Sequence, residues 1–361
     1  MSLTFDLRRR PDPAGEQRRA EIHADPGFGV HFTDHMVTAV WTKDGGWGSG
    51  RVEPHGPIQL MPSAAVLHYA QEIFEGLKAY RHTDGSVWLF RPDQNAARMA
   101  RSSVRLALPE LPQADFLASL DALIAADAAW VPSTGEQSLY LRPFMFASEA
   151  FLGVRAAQRV TYCCIASPAG PYFASGVRPI SIWITTRYTR AAPGGTGAAK
   201  CGGNYAASLV AQQEAAANGC DQVMFADAAE HAWLEELGGM NVYVVTADNE
   251  LITPELTGSI LEGVTRESIL TLAGEFGLTP VERKIAIAEL VDGISSGQVT
   301  ELFACGTAAV ITPIAMLKDE EGTYVVGAGE TGETTAALRK NLLDIQYGRA
   351  ADTHGWLRRV L

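Results

Sequence analysis

The chain has 361 residues, 47% of them apolar and 19% charged, enough for a sizeable core and too little charge for a disordered polymer. Its 41 acids outweigh 29 bases, a net charge of −12, which argues against a general binder of nucleic acid or of anionic membranes. No run of about 18 apolar residues is present, so no transmembrane helix is expected.

The first residues, through Glu21, lack an apolar stretch and read as a charged tail, not as a signal peptide. His35–Thr42 reads as a strand. Lys78–Tyr80 and Ser86–Phe90 read as hairpin arms around the turn signal Thr83-Asp84-Gly85. A helix is predicted from Asp93 as N-cap, and an Ala-rich helix over Ala114–Trp130. Ser138–Met145 and Arg159–Ser167 read as strands.

The breaker cluster Ser167-Pro168-Ala169-Gly170-Pro171 marks a linker. The expected division is a smaller N-terminal α/β domain over 1–168, a linker over 169–177 and a larger C-terminal domain over 178–361. Past the linker come a strand Pro179–Thr186, the Gly-rich loop 192–197, and a helix from Asn204 to Asn218. Strands Gln222–Ala226 and Asn241–Thr246 follow, then a helix from Thr265 to Phe276 with Thr265 as N-cap. Strands near Thr279–Arg283 and Val299–Ala304, an apolar run Ala308–Ile314 and a helix Thr334–Tyr347 complete the chain. No regular βαβα register appears, so the fold class is α/β of the α+β kind, not a doubly wound sheet.

The five cysteines are too scattered for a disulfide framework or a CxxC zinc site. No metal is expected, Cys163 and Cys164 read as core, and a reducing, cytoplasmic compartment fits.

Lys200 is bracketed by small residues, Ala198-Ala199 before it and Cys201-Gly202-Gly203 after it. The segment is not a P-loop, because Ala199 stands where glycine is required. Small neighbours let a ligand approach closely and suit a nucleophilic amine, although a surface lysine on a loop gives the same pattern. The helix start at Thr265 offers free N–H groups to a phosphate, and equally reads as an ordinary capped helix. The acid of the 235–236 pair and the strand residues Tyr140 and Arg142, which alternation puts on one face, each have a similar double reading.

Taken in order, seven segments resemble one family. They are 32–36 (Phe-Thr-Asp-His-Met), 74–80 (Phe-Glu-Gly-Leu-Lys-Ala-Tyr), 89–92, 138–143, 200–205 (Lys-Cys-Gly-Gly-Asn-Tyr), 236–241 (Glu-Leu-Gly-Gly-Met-Asn) and 306–308. The chain resembles the branched-chain amino acid aminotransferases, pyridoxal-phosphate enzymes of fold type IV, with a C-terminal pseudo-barrel domain. The resemblance implies pyridoxal 5'-phosphate as cofactor and amino transfer between leucine, isoleucine or valine and 2-oxoglutarate. It also implies a homodimer.

Lys200 then resembles the Schiff-base lysine and Glu236 the carboxylate that keeps the pyridine nitrogen protonated. Tyr205 resembles the partner of the ring's phenolic oxygen. Arg98, Val264, Thr265 and Thr307 resemble the phosphate ligands. Phe32, Tyr69, Phe74, Tyr140 and Tyr172 resemble the walls of the side-chain pocket, and Arg142 the partner of a γ-carboxylate. The Ala308 backbone, with Tyr69, resembles the α-carboxylate contact. Gly239 stands where many family members carry threonine, and Ala309 and Thr312 stand where a redox CxxC would follow. A D-amino-acid aminotransferase or an aminodeoxychorismate lyase would share Lys200 and Glu236. A non-catalytic small-anion-binding protein could use the Gly-rich loop.

Overall fold

A computed structural model describes residues 3–170 and 178–361. The chain forms two compact units. The first holds the N-terminal part through residue 174 and is rejoined by Ala199–Gly202 and Asp344–Leu361; the second holds Ser175–Ala198 and Gly203–Leu343. This differs from a division at 168 and 178, because the chain re-enters the first unit twice. Lys200, expected among the residues of the C-terminal half, packs with the first unit. Of the expected linker, 171–177 lie outside the described residues, and Tyr172 with them.

The first unit is built on a ten-stranded sheet. Its order is Phe5–Leu7, Gly50–Pro54, His35–Thr42, Arg159–Ala169, Ser138–Ala147, Leu77–Arg81, Val87–Phe90 and Leu357–Arg359. Gly46–Trp47 pairs with His35–Thr42, and Glu72–Phe74 with Ser138–Ala147. The predicted hairpin is present: Gly85 has φ +86, and the Asp84 carboxylate accepts the Ser86 N–H at 2.9 Å. Helices Pro92–Arg105 and Gln113–Ala126 accompany the sheet. Met99, Phe116, Leu120, Leu123 and Ile124 bury their side chains in a core shared with Leu77, Leu139, Leu141 and Tyr162.

The second unit carries a nine-stranded sheet. Its order is Leu234–Leu237, Gln222–Ala226, Ile180–Thr185, Val310–Lys318, Val299–Gly306, Asn241–Thr246, Glu250–Thr253 and Thr279–Glu282; Thr323–Val325 pairs with Val310–Lys318. Parallel and antiparallel pairs are mixed. Asn241–Thr246 is buried along its whole length, which accounts for its unbroken run of strand-forming residues. One of the two sheets curls into a half-barrel. The fold class is the expected mixed α/β one.

Four local expectations are corrected. Arg91, in the left-handed region at φ +48, precedes the helix Pro92–Arg105, so Asp93 lies within the first turn and does not cap it. Gly263, not Thr265, is the N-cap of Val264–Leu272. The helix expected over 204–218 is two, Gly202–Ala206 and Leu209–Ala217. The Ser208 hydroxyl donates to the Tyr205 carbonyl at 2.7 Å between them, a local bond that competes with helix continuation. The helix expected over 114–130 ends at Ala126, and the Asp127 carboxylate accepts both the His35 N–H and its imidazole Nδ1.

The breaker Pro168 is also a strand residue, opposite Leu139. The pairing with His35–Thr42 reaches only Cys164, so Pro168 has a strand neighbour on one side and sits where proline is tolerated.

Candidate active site

In the first unit, the helix Pro92–Arg105 presents Asn95, Arg98 and Ser102 on one face, at helical spacing. All three are buried. Arg98 donates side-on to Glu75, Nε to Oε1 at 2.7 Å and Nη2 to Oε2 at 2.8 Å. Asn95 donates to the same carboxylate at 2.8 Å. Burial raises the Glu75 pKa, but Arg98, with Lys200 and Asn95, outweighs this and holds it below the ordinary value.

Lys200 is stitched into this cluster through its backbone. Its N–H donates to Ser102 Oγ at 3.0 Å and its carbonyl accepts from the Phe74 N–H at 2.9 Å. The Lys200 Nζ lies 4.9 Å from the centroid of the Phe74 ring. The small residues beside Lys200 have a structural use. Cys201 is buried in the core, and the Gly202 N–H donates to Glu72, whose carboxylate occupies the space a side chain at 202 would fill. Burial pushes the Glu72 carboxyl up, partly offset by the Gly202 N–H and Arg142.

Arg142 stacks on both neighbouring rings, 4.8 Å from the Phe74 centroid and 5.3 Å from that of Tyr140. Its Nη2 donates to Tyr140 Oη at 3.1 Å. Its Nε is buried without a hydrogen-bond partner among the described residues. Gly76 lies directly under the Tyr140 hydroxyl, so any side chain there collides with it. Phe28 meets Tyr140 edge-on with centroids 4.9 Å apart.

Lys200, Phe74, Tyr140, Arg142 and Arg98 are therefore one group. Phe32 and Tyr69 have other partners: Phe32 stacks on His55, and the Tyr69 hydroxyl donates to the Leu152 carbonyl.

The second unit gathers the remaining residues. Glu236, on the strand Leu234–Leu237, is 2% exposed and pairs with Arg190, itself buried. It also accepts the Leu261 N–H at 2.9 Å. Arg190 Nη2 donates to the carbonyls of Ser259 at 2.7 Å and Gly197 at 3.1 Å. Nothing in the sequence singles out Arg190. It stands alone before the Gly-rich loop, without periodicity or motif to distinguish it. Sequence reasoning also misses Glu75 as the anchor of Arg98. A polar stripe 95, 98, 102 beside buried Met99 is the available signal.

The helix Val264–Leu272 starts nearby in this unit. Asn241 donates to the Leu261 carbonyl at 2.9 Å and packs against Gly263. Val264 and Thr265 are buried, and the N-cap residue Gly263 has no side chain to cap the helix start. Such an end suits an anion.

Gly306-Thr307-Ala308 follows the strand Val299–Gly306 and lies against Gly239-Met240. The turn closes on Val310 at φ +63, a strained conformation for a β-branched residue. A side chain at 239 would meet the Tyr205 ring at 3.4 Å, so glycine leaves that ring uncrowded.

Each unit, taken by itself, holds groups of the kind a phosphorylated pyridine cofactor needs. In the first unit a buried arginine suits a phosphate and a lysine suits covalent attachment; in the second a helix start suits a phosphate and a buried carboxylate suits a protonated ring nitrogen. Among the described residues no group of three His, Cys, Asp or Glu could hold a metal, and no helix is long and apolar enough to cross a membrane.

Comparison with known proteins agrees. The family of class IV amino-transferases matches residues 72–317. The branched-chain-amino-acid aminotransferase of Mycobacterium tuberculosis (strain ATCC 25618 / H37Rv) is 54% identical, over 99% of each chain. A probable branched-chain-amino-acid aminotransferase of Streptomyces coelicolor is 55% identical, over 98% of each. The solved branched-chain amino acid aminotransferase of Thermobaculum terrenum in its PLP form superimposes with a TM-score of 0.72 at 25% identity, covering 90% of this chain and 98% of that one. With a family match over most of its length and relatives this similar end to end, the chain belongs to the class IV aminotransferases and depends on pyridoxal 5'-phosphate.

Proposed function

We infer that the protein is a branched-chain-amino-acid aminotransferase. It moves the amino group of L-leucine, L-isoleucine or L-valine to 2-oxoglutarate, giving the branched 2-oxo acid and L-glutamate. The observation that carries this reading is the end-to-end likeness to branched-chain aminotransferases. When bound, pyridoxal 5'-phosphate supplies the electron sink for the substrate's Cα.

The chain's own residues do the rest. Lys200 attaches the cofactor and moves the proton at Cα. Glu236, held by Arg190 and the Leu261 N–H, keeps the ring nitrogen protonated, and the Tyr205 hydroxyl bonds the phenolic oxygen. Arg98, the N–H groups of Val264 and Thr265, and the Thr307 hydroxyl hold the phosphate. Phe32, Tyr69, Phe74 and Tyr140 wall the side-chain pocket, where each buried methylene contributes about 0.8 kcal/mol. Arg142 receives the γ-carboxylate of glutamate. Its support is the buried Nε of Arg142 without a hydrogen-bond partner among the described residues. The Ala308 backbone and Tyr69 bind the α-carboxylate beside Gly239.

The two units serve as the two domains, and the working form is a homodimer in the cytoplasm. Five buried free thiols suit that reducing compartment.

Borohydride reduction followed by peptide mass mapping tests cofactor and lysine together, and the label is expected on Lys200. Amination of 2-oxoisocaproate by L-glutamate and not by D-glutamate is expected; amination from the D-isomer alone overturns the reading.

A further inference from the structure

Lys200 belongs to no helix or strand, so no regular ladder of backbone hydrogen bonds holds it. Its backbone is held from two sides instead. The Phe74 N–H donates to its carbonyl at 2.9 Å, and its own N–H donates to Ser102 Oγ at 3.0 Å. The first bond runs from backbone to backbone. The second depends on one side chain, supplied from 98 positions earlier in the chain.

Ser102 is 1% exposed and stands inside the helix Pro92–Arg105, where alanine is the better helix former. Its neighbour Ser103 is comparably buried and keeps its hydroxyl within the helix, on the Met99 carbonyl at 2.9 Å. Ser102 Oγ accepts a donor from outside the helix. The adjoining bonds of the lysine segment do not duplicate this hold. The Cys201 N–H turns back on the Ala199 carbonyl at 3.1 Å, and the Gly202 N–H goes to Glu72.

Helical spacing supplies a second observation. Ser102 follows Arg98 by four positions, one turn along the same face and about 6 Å along the axis. Arg98 is fixed side-on by the fully buried Glu75. One helix therefore carries both the arginine proposed for the phosphate and the hold on the lysine proposed for covalent attachment. Four methylenes separate the lysine amine from its backbone, so an error at the backbone is carried to the amine. A misplacement of about 1 Å can cost about 10²-fold in rate.

We propose that Ser102 is a positioning residue: its hydroxyl oxygen fixes the Lys200 backbone so that the amine stands where it can move the proton at the substrate's Cα. This rests on the reading of Lys200 as the Schiff-base lysine.

Ser102→Ala in the holoenzyme tests it, with Ser103→Ala as a control of comparable burial. Hydrogen exchange at the Lys200 amide is expected to quicken in Ser102→Ala and to keep the parent rate in Ser103→Ala. The decisive readout is a single turnover of the leucine half-reaction, followed by near-visible absorbance. The step slowed by deuterium at Cα is expected to fall about tenfold in Ser102→Ala, with leucine affinity little changed. Ser102→Cys fills the same space with a poorer acceptor and is expected to fall between parent and alanine. Borohydride mapping separates the two levels. A label away from Lys200 overturns the assignment of Lys200 and this inference with it. With the label on Lys200, an unchanged deuterium-sensitive step in Ser102→Ala, or an equal loss in Ser103→Ala, overturns the inference alone.

Discussion

Each unit contains a buried arginine–glutamate pair, and the two are turned in opposite directions. In the first unit the glutamate is the anchor: Glu75 takes Arg98 side-on, takes Asn95 as well, and thereby presents a guanidinium. In the second the arginine is the anchor: Arg190 is fixed by the carbonyls of Ser259 and Gly197 and presents the Glu236 carboxylate. A buried ion pair is weak evidence for stability, since its attraction roughly repays its desolvation. Two such pairs, each with one member aimed at a proposed cofactor contact, are better understood as positioning devices. The anchor can be tested separately from the group it presents.

The largest effect is expected in the second unit. Arg190→Met leaves Glu236 buried without its cation and frees two carbonyls. A loss of about 3–5 kcal/mol is expected, read as a lowered urea midpoint of the holoenzyme. Unchanged stability would show that Glu236 has other support and would break the symmetry between the pairs. Glu75→Gln is milder, because an amide oxygen still accepts from Arg98 or Asn95. About 1–3 kcal/mol is expected, together with faster release of pyridoxal phosphate on dialysis. Normal cofactor retention would refute the positioning role of Glu75.

These pairs also mark where the sequence is legible. Glu236 is readable because it opens one of the segments that resemble a known family, and Arg98 because it stands on the helix that follows another, 89–92. Their anchors are not. Arg190 lies in no motif, and its partners at 197, 236 and 259 are brought to it only by the fold. Glu75 stands inside one of those segments, but its use depends on a helix residue 23 positions later. The strands with clear period or turn chemistry, such as the hairpin around Gly85, are read within a residue or two. Helix ends are read poorly where tertiary bonds decide them, as Asp127 with His35 does at Ala126. Gly202 reads as room for a ligand, whereas part of that room is filled by Glu72.

A third test probes specificity. Arg142 is held by rings and by the Tyr140 hydroxyl, and its charge is felt by Glu72. Arg142→Leu is expected to lower kcat/KM for glutamate about tenfold or more while leucine changes little, because a charge-assisted bond is worth about 1.5–3 kcal/mol. Equal losses for both substrates would remove Arg142 from the recognition of the γ-carboxylate and leave it a packing role against Phe74 and Tyr140.

The smallest effect is one of sign, and it contrasts two buried glutamates. Both start from an ordinary value of 4.5. Glu75 is held below it, mainly by Arg98 against the cost of burial. Its pairing stabilises the fold above the unfolded pKa, and that contribution is lost as pH falls through the folded value. Glu235 is raised by burial, which outweighs the Ser259 hydroxyl and Arg190. Its contribution is present below the unfolded pKa and is lost as pH rises through the folded value. Substitution by glutamine should therefore separate them. At pH 7 Glu75→Gln is expected to be less stable than the parent chain, with a deficit that shrinks on acidification toward pH 4. At pH 7 Glu235→Gln is expected to be slightly more stable, with a gain that fades over the same range. Urea midpoints measured across that range decide the matter. If both differences run the same way with pH, the Glu235 carboxyl is not carrying a burial cost.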